Sequence, residues 1–315
     1  MNEKNNYPKI CPICRIGKKF VFIRDFTKEQ VKYYLYQCFE CYVQFWFPQT
    51  IVDQQWYEEK GNPYNVRDLA GLKISRGYHK FFLKRHKNLP KGIKVLDLGC
   101  GTAEFLAELE KIGHKVYGLD FDREAVKIAK GKFCLKDVYP MSFKEFFQKK
   151  DLPKFDIITF FEVIEHLPDP ENFILNVKKL LKPGGKIIFS TPYRERILPD
   201  LNAWDFPPHH WTRWNEKSIN NFLKNNGFAV THLGYVEGLK ILSESVSGKF
   251  KTRLVGKFLK IASERKKSLI IPKVIYFLGK MKDLVLGKIP ALFLWILGKA
   301  MKRKNGIIYV EARTT

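Results

Sequence analysis

VLDLGCGTAEFLAEL, Val95–Leu109, and the segment after it, KVYGLDFDREAVKIAK, Lys115–Lys130, decide the fold. Val95, Leu96 and Leu98 form a short apolar run that enters a glycine turn at Gly99 and Gly101, and helical periodicity begins around Ala103. A strand, a tight turn and a helix start in that order let backbone N–H groups approach a ligand without side chains in the way. Asp120, about 20 residues further on at the end of the next apolar run, supplies the acid that such turns are paired with. Asp97, just before the glycines, bears on the ligand's charge: a pyrophosphate at the helix start would be repelled by it, and an ammonium attracted.

The pair DLGCG and GLDFD at this separation resembles motifs I and II of the class I S-adenosylmethionine-dependent methyltransferases. The resemblance implies that the glycine loop lies under the methionine portion of the cofactor and that the acid ending the second strand accepts from both ribose hydroxyls. Carried onto this sequence, the cofactor positions are Asp97, Gly99, Cys100, Gly101, Asp120 and Phe121. Ala103 departs from the pattern, which often has a third glycine there; a methyl group is expected to crowd the cofactor slightly with little damage. A buried strand ending in glycines can look the same by chance, so a second segment matters. FDIITFFEVIEHLPDPENFILNVKKLLKPGGKIIFSTP, Phe155–Pro192, reads as a strand, a loop, an amphipathic helix, a Pro183-Gly184-Gly185 turn and another strand. It resembles motif IV and the segment beyond that motif in the same family. By analogy Phe161 and Glu162 approach the sulfonium. Asp137 and Val138, placed at the C-terminal end of a weaker strand read from KFCLKDVY, face adenine.

Cys11 and Cys14 in CPIC and Cys38 and Cys41 in CFEC form two CxxC pairs with 23 residues between them. Two such knuckles complete a closed tetrahedral site with no position for water, so a structural Zn²⁺ is expected. KKFVFIRDF and VKYYLYQCF between them read as two strands of a zinc ribbon too small to be held by burial alone. A redox pair or buried thiols are the alternatives. Cys100 and Cys134 read as packing residues rather than nucleophiles. Ribbon and core together resemble a group of bacterial zinc-binding methyltransferases, some acting on sugars.

The expected architecture is α/β: a four-cysteine ribbon at 1–48 and a Rossmann-like class I sheet at 49–239. A basic helical insertion comes next at 240–304, and a final antiparallel strand 7 at 305–315 lies beside strand 6. Helices ahead of the first core strand put Tyr57, Tyr64 and Tyr78 where they could line an acceptor pocket, with plain packing as the alternative. The chain carries a formal charge of +24. Between Lys249 and Lys304 there are 16 Lys or Arg against Glu264 and Asp283, a net of 16 − 2 = +14, so over half the excess lies in the insertion. Its longest apolar run, Ile289–Gly298, is well short of the roughly 20 residues that span a bilayer. Cationic segments rich in Trp and Phe suit an anionic membrane surface; a subdomain packed on protein is the alternative. The N-terminus lacks an apolar signal region, so a cytoplasmic location is expected, peripheral at the inner membrane face if the insertion binds lipid.

Methyl transfer from a sulfonium is an in-line displacement, so the protein's share is orientation and, where needed, a base. His166, in EVIEHLPDP, and His209 and His210, in DFPPHHWTRW, are the candidate bases. Bracing of the loop is the alternative for His166. Two prolines and Trp204, Trp211 and Trp214 give the second segment the look of an acceptor lid. The expected function is methylation of a small-molecule, saccharide or lipid-linked acceptor. An RNA methyltransferase gripping phosphates with ribbon and insertion is the alternative, weakened by the aliphatics of the insertion and by FFEV where base-methylating enzymes carry NPPY. A binding module that has lost catalysis is disfavoured by the intact Asp97, Gly99, Gly101 and Asp120.

Overall fold

The computed structural model describes residues 7–49, 77–196, 205–236, 288–300 and 306–315. The chain divides into one unit of Met1–Pro192, Phe206–Gly234 and Ile308–Thr315, and a second of Tyr193–Asp205 and Tyr235–Ile307.

In the first unit, β1 (Phe20–Lys28) and β2 (Val31–Cys38) pair antiparallel with Lys28 opposite Val31. Glu29 and Gln30 turn the hairpin with φ of 50° and 66°, the left-handed pair of a two-residue loop whose twist matches the strands. β3 (Gln44–Phe47) adds to β2, and a strand not foreseen from the sequence, β9 (Thr212–Arg213), adds to β3. The ribbon sheet is thus completed by a segment far along the chain. Tyr33, Leu35, Trp46 and Trp211 form a buried cluster at that junction.

In the second sheet, β4 (Lys94–Leu98), β5 (Lys115–Asp120), β6 (Val138–Pro140), β7 (Phe155–Phe161) and the main run of β8 (Leu181–Pro192) are parallel. Buried on both faces, they are apolar runs rather than alternating ones. β10 (Phe228–Val236) and β11 (Ile307–Thr314) run antiparallel: Thr315 N–H donates to the Gly227 carbonyl at 3.1 Å, and Thr231 Oγ1 to that of Glu311 at 3.2 Å. Across the sheet the order is β10-β11-β8-β7-β4-β5-β6. It reverses between β4 and β7, the place where open α/β sheets take ligands. β8 starts at Leu181 opposite Phe155 and resumes register at Lys186 opposite Ile157, so Pro183-Gly184-Gly185 is an irregularity within the strand rather than a turn before it.

Helices α1 (Gly77–Arg85), α2 (Glu104–Lys111), α3 (Arg123–Phe133), α4 (Phe143–Phe147), α5 (Pro170–Leu180) and α6 (Glu216–Asn225) connect the strands. Most start where a short polar side chain can accept from the orphan amides of the first turn. Asp122 caps α3, Ser142 and Glu145 form a reciprocal box on α4, Asp169 caps α5 with Pro170 next to it, and Asn215 caps α6. Before α2 there is no side-chain cap; Ala103 stands there at φ 57°, ψ 27°, a conformation in which the β-carbon costs about 1–2 kcal/mol. The missing third glycine thus shows itself as strain in the backbone.

In the second unit Tyr193 donates its N–H to the Gly306 carbonyl at 3.1 Å and packs edge-on to Tyr235. Arg196 pairs with Asp205. α7 (Ile289–Ala300) exposes Ile289, Leu292, Phe293 and Ile296, one stripe at helical spacing. Among the described residues no helix is long and apolar enough to cross a membrane. The remainder of the expected insertion, including RLVGKFLKIA and LIIPKVIYFLGKM, lies outside the described residues, as do Tyr57, Tyr64 and Trp204.

α1 is tied to β11 by a buried carboxylate. Glu311 Oε1 accepts from Arg85 Nε at 2.6 Å and lies 3.2 Å from His86 Nε2. Burial opposes its charge, yet the His86 ring and the Arg85 guanidinium beside it hold its pKa down at about 2. A depressed carboxylate stabilises the fold above its ordinary pKa and loses that contribution as pH falls through the folded value. Glu311→Gln is therefore expected to cost about 1–3 kcal/mol at pH 7, with the gap to the parent closing as pH drops toward 2, read from urea unfolding across pH. Trp211→Ala, which opens the cluster joining β9 to the ribbon, is expected to cost about 3–5 kcal/mol in the same assay.

Candidate active site

Asp97 ends β4 opposite Thr159 of β7, at the point where the strand order reverses. Its carboxyl is 3% exposed and accepts from the Thr159 hydroxyl at 2.6 Å. Burial pushes its pKa up to about 7, the Asp120 charge adding to the effect and the Thr159 bond opposing it. Such a carboxyl waits for a cation. Thr159 was not anticipated; the signal was present, since it is the one hydroxyl inside the apolar run FDIITFF.

The loop after β4 is held by Gly99 and Cys100 N–H groups donating to the Leu119 carbonyl at 2.7 and 3.0 Å. Gly99 has φ +82°, and a β-carbon there would press on Val163. Above Gly101, at φ +54°, a β-carbon would meet nothing within 4 Å, so the loop faces open space where a ligand can lie. Asp120 Oδ2 accepts from Gly101 N–H at 2.7 Å and Oδ1 from Asp122 N–H at 2.9 Å. Phe121 comes next, half-buried. The Cys100 side chain fits against Gly118, and burial raises its thiol well above the ordinary value, as a packing residue rather than a nucleophile.

The strand expected to carry Asp137 and Val138 at its C-terminal end is shorter than the sequence suggests. The strand read from KFCLKDVY is Val138–Pro140, because α3 runs to Phe133 and uses up its first half. Asp137 and Val138 therefore stand at the start of β6, Val138 level with Gly118, and Pro140 is level with Asp120. Beyond that end of the strand Met141 N–H donates to the Asp120 carbonyl at 3.0 Å. Phe161 is a core ring: it stacks on Tyr78 at 5.0 Å and meets Phe105 edge-on at 5.4 Å, so Tyr78 is packing as well.

After β7 the backbone is strained. Glu162 adopts φ +56°, an arrangement that costs a non-glycine residue about 1–3 kcal/mol and clusters at functional sites. Its N–H donates to the Ser190 carbonyl at 2.9 Å, and Ser190 Oγ to its carboxylate at 3.2 Å. Glu165, 1% exposed, has its pKa raised by burial and by the charge of Glu162. His166 Nδ1 lies 2.8 Å from the His209 carbonyl, an oxygen that can only accept, so Nδ1 carries the proton.

The structure brings His166 together with His209 and His210, which lie 43 residues and more further along the chain. His166 meets His209 and His210 with ring centroids 4.6 Å away in each case, and His209 stacks on His210 at 4.9 Å. Burial holds His166 down to about 3 and pushes His209 lower still, so the neutral form of both rings is favoured. The lid reading of DFPPHHWTRW is overturned. Trp211 N–H donates to the Glu165 carbonyl at 2.8 Å, its own carbonyl accepts from Trp46 N–H at 3.0 Å, and Trp211 and Trp214 are buried. The segment is a seam between ribbon and core.

At the ribbon's end Cys11 and Cys41 sulfurs are 3.8 Å apart, as are those of Cys14 and Cys38, and all four lie within 4.8 Å of one another. Thiolates about 2.3 Å from one tetrahedral ion stand about 3.8 Å from each other, so the donor set and spacing fit Zn²⁺. Ile13 N–H points at Cys11 Sγ from 3.4 Å, and a side chain at Gly17 would collide with Cys38 Sγ.

A family profile described as a methyltransferase domain matches residues 67–233. The protein named Ubiquinone biosynthesis O-methyltransferase from Pasteurella multocida (strain Pm70) is 32% identical over 164 residues, 48% of this chain and 63% of that one. Its namesake in Coxiella burnetii (strain RSA 493 / Nine Mile phase I) is 40% identical over 110 residues, 32% of this chain and 44% of that one. The chain thus spans less than two thirds of the length of these relatives. The solved structure of magnesium protoporphyrin IX methyltransferase from Synechocystis PCC 6803 with bound SAH aligns with TM-score 0.49 and 16% identity over 83% of this chain and 97% of that one. Because the profile takes in more than half of the 315 residues, including Asp97, the glycine loop, Asp120 and the histidine cluster, the chain belongs to the methyltransferase domain family.

Proposed function

We propose that this chain is an S-adenosylmethionine-dependent methyltransferase that methylates an oxygen of a small-molecule acceptor, saccharide or lipid-linked, and that its ribbon holds a structural Zn²⁺. The observation that carries the reading is the buried Asp97, raised toward neutrality and adjoining an open left-handed glycine loop and Asp120. A cofactor with an ammonium and a ribose answers both acids, whereas a dinucleotide's phosphates would be repelled by Asp97. The cofactor supplies the electrophilic methyl group. The chain's own part is to bind the ammonium at Asp97, fix the ribose at Asp120, and present the acceptor at the edge after β7. Oxygen as the acceptor atom is supported by the names of the relatives. The exposed stripe Ile289, Leu292, Phe293 and Ile296, next to Lys288 in a strongly cationic stretch, supports a position on an anionic membrane face better than along a phosphate backbone.

The direct test supplies methyl-labelled S-adenosylmethionine with an extract of cells lacking the protein and separates lipid, saccharide and RNA fractions. Label in lipid or saccharide, lost with Asp97→Asn, is the expected result; label in RNA overturns the acceptor class. Cofactor affinity should also depend on pH. Asp97 must be ionised to receive an ammonium, so binding is full above about 7 and weakens by up to about tenfold per unit below it. Calorimetry between pH 5 and pH 8 checks this, and Asp97→Asn should bind weakly with no such slope over that range.

For the ribbon, one Zn²⁺ per chain is expected, released by chelation with loss of ribbon structure. Trp46 and Trp211, buried together at the seam, make the loss visible as a red shift in tryptophan emission. Cys38→Ser should give the same shift without chelator.

A further inference from the structure

A second cluster of metal-ligating side chains lies apart from the cysteines. One ring nitrogen each of His166, His209 and His210 lies within 4.8 Å of the other two. Three imidazole nitrogens about 2.1 Å from one tetrahedral ion would stand about 3.4 Å apart, so small side-chain rotations close the set. The support around the rings is of the kind that metal-binding histidines have. His166 donates Nδ1–H to the His209 carbonyl at 2.8 Å, which fixes the orientation of its ring. His209 and His210 are carried on a backbone clamped on both sides by Trp211, whose N–H reaches the Glu165 carbonyl and whose carbonyl takes the Trp46 N–H. Next to His166 in the chain, Glu165 is 1% exposed, and neither of its carboxyl oxygens makes a hydrogen bond of ordinary geometry.

We propose that His166, His209 and His210 bind a divalent transition-type cation, distinct from the ion of the four cysteines, with coordination positions left open for an oxygen ligand. All-nitrogen donor sets of this sort suit Zn²⁺, Co²⁺ or Ni²⁺ rather than Mg²⁺ or Ca²⁺. The cluster comes after β7, on the same C-terminal edge of the sheet as Asp97 and Asp120. An acceptor hydroxyl bound to the ion would give up its proton to solvent more readily, and its oxygen would bond to the methyl carbon as the carbon–sulfur bond of the cofactor breaks and a neutral thioether leaves. This role rests on the methyltransferase reading; the binding of the ion does not.

The test is titration of the metal-stripped full-length protein with Co²⁺ alone. Two equivalents are expected: one with the near-ultraviolet thiolate charge-transfer bands of the cysteine site, and one with visible bands only. His209→Gln and His210→Asn, made singly and together, should weaken the second equivalent by more than about 100-fold, beyond the loss usual for a supporting residue, while the thiolate bands stay. Binding of S-adenosylhomocysteine is measured in the same samples, so that failure of the cofactor reading is seen separately from failure of the metal site. A wild-type protein that takes up one equivalent with thiolate bands alone overturns the proposal, and that result does not depend on whether any variant folds. A second equivalent that persists unchanged in the double variant overturns it as well.

Discussion

The main chain of Trp211 is the constraint on which the arrangement of this protein depends. Its N–H is satisfied by the carbonyl of Glu165 and its carbonyl by the N–H of Trp46, so one residue is bonded at once to the loop after β7 and to the ribbon. Both bonds are buried, and a buried backbone group left without its partner costs as much as a lost hydrogen bond. The indole closes over Tyr33, Leu35 and Trp46 and removes water from the junction. Ribbon and core are therefore parts of one folding unit. Arg15, which pairs with Asp169 and with Glu171 at the start of α5, adds charge contacts across the same junction, though these are exposed and weak beside the apolar seam.

This coupling changes what the cysteine site does. In isolation a four-cysteine ribbon is a small module stabilised by its ion. Here its third strand is the template on which Thr212 and Arg213 pair, and the residues shortly before that pairing are His209 and His210. The geometry of the histidine cluster thus depends on the state of the ribbon. The sheet of the ribbon thus continues into the segment that carries two of the three clustered histidines, which ties the ribbon to the fold of the core.

Strain and burial are concentrated along that edge. Asp97 is raised by desolvation, Glu162 is left-handed, Glu165 is sequestered, and Ala103 occupies a conformation suited to glycine. Each costs stability locally and is maintained by the apolar sheet around it, where Phe155, Phe160 and Phe189 are fully buried. Groups held this way are organised for a ligand before it arrives.

The class of the fold was legible in one dimension because it rests on local chemistry. Apolar runs ending in glycines at positive φ, an acid closing the next strand, caps at Asp122, Asp169 and Asn215, and two CxxC knuckles each carry their meaning within a few residues. Ala103 was legible as a departure, but its cost lies in a backbone angle that only the fold displays. The boundary of β6 could not be read, since KFCLKDVY is apolar enough for either state and the extent of α3 decided it. The role of PPHHWTRW was misread for a different reason. Prolines and aromatics describe a rigid surface loop and a buried seam equally well, and the choice is made by Trp46, more than 160 residues earlier in the chain. Residue types and local spacing therefore determined the sheet, the cofactor loop and the thiolate site. Which strand the ribbon would recruit, and that three histidines would meet in one cluster, were decided by tertiary pairing, because burial and backbone hydrogen bonds join segments with no local signal of their partnership.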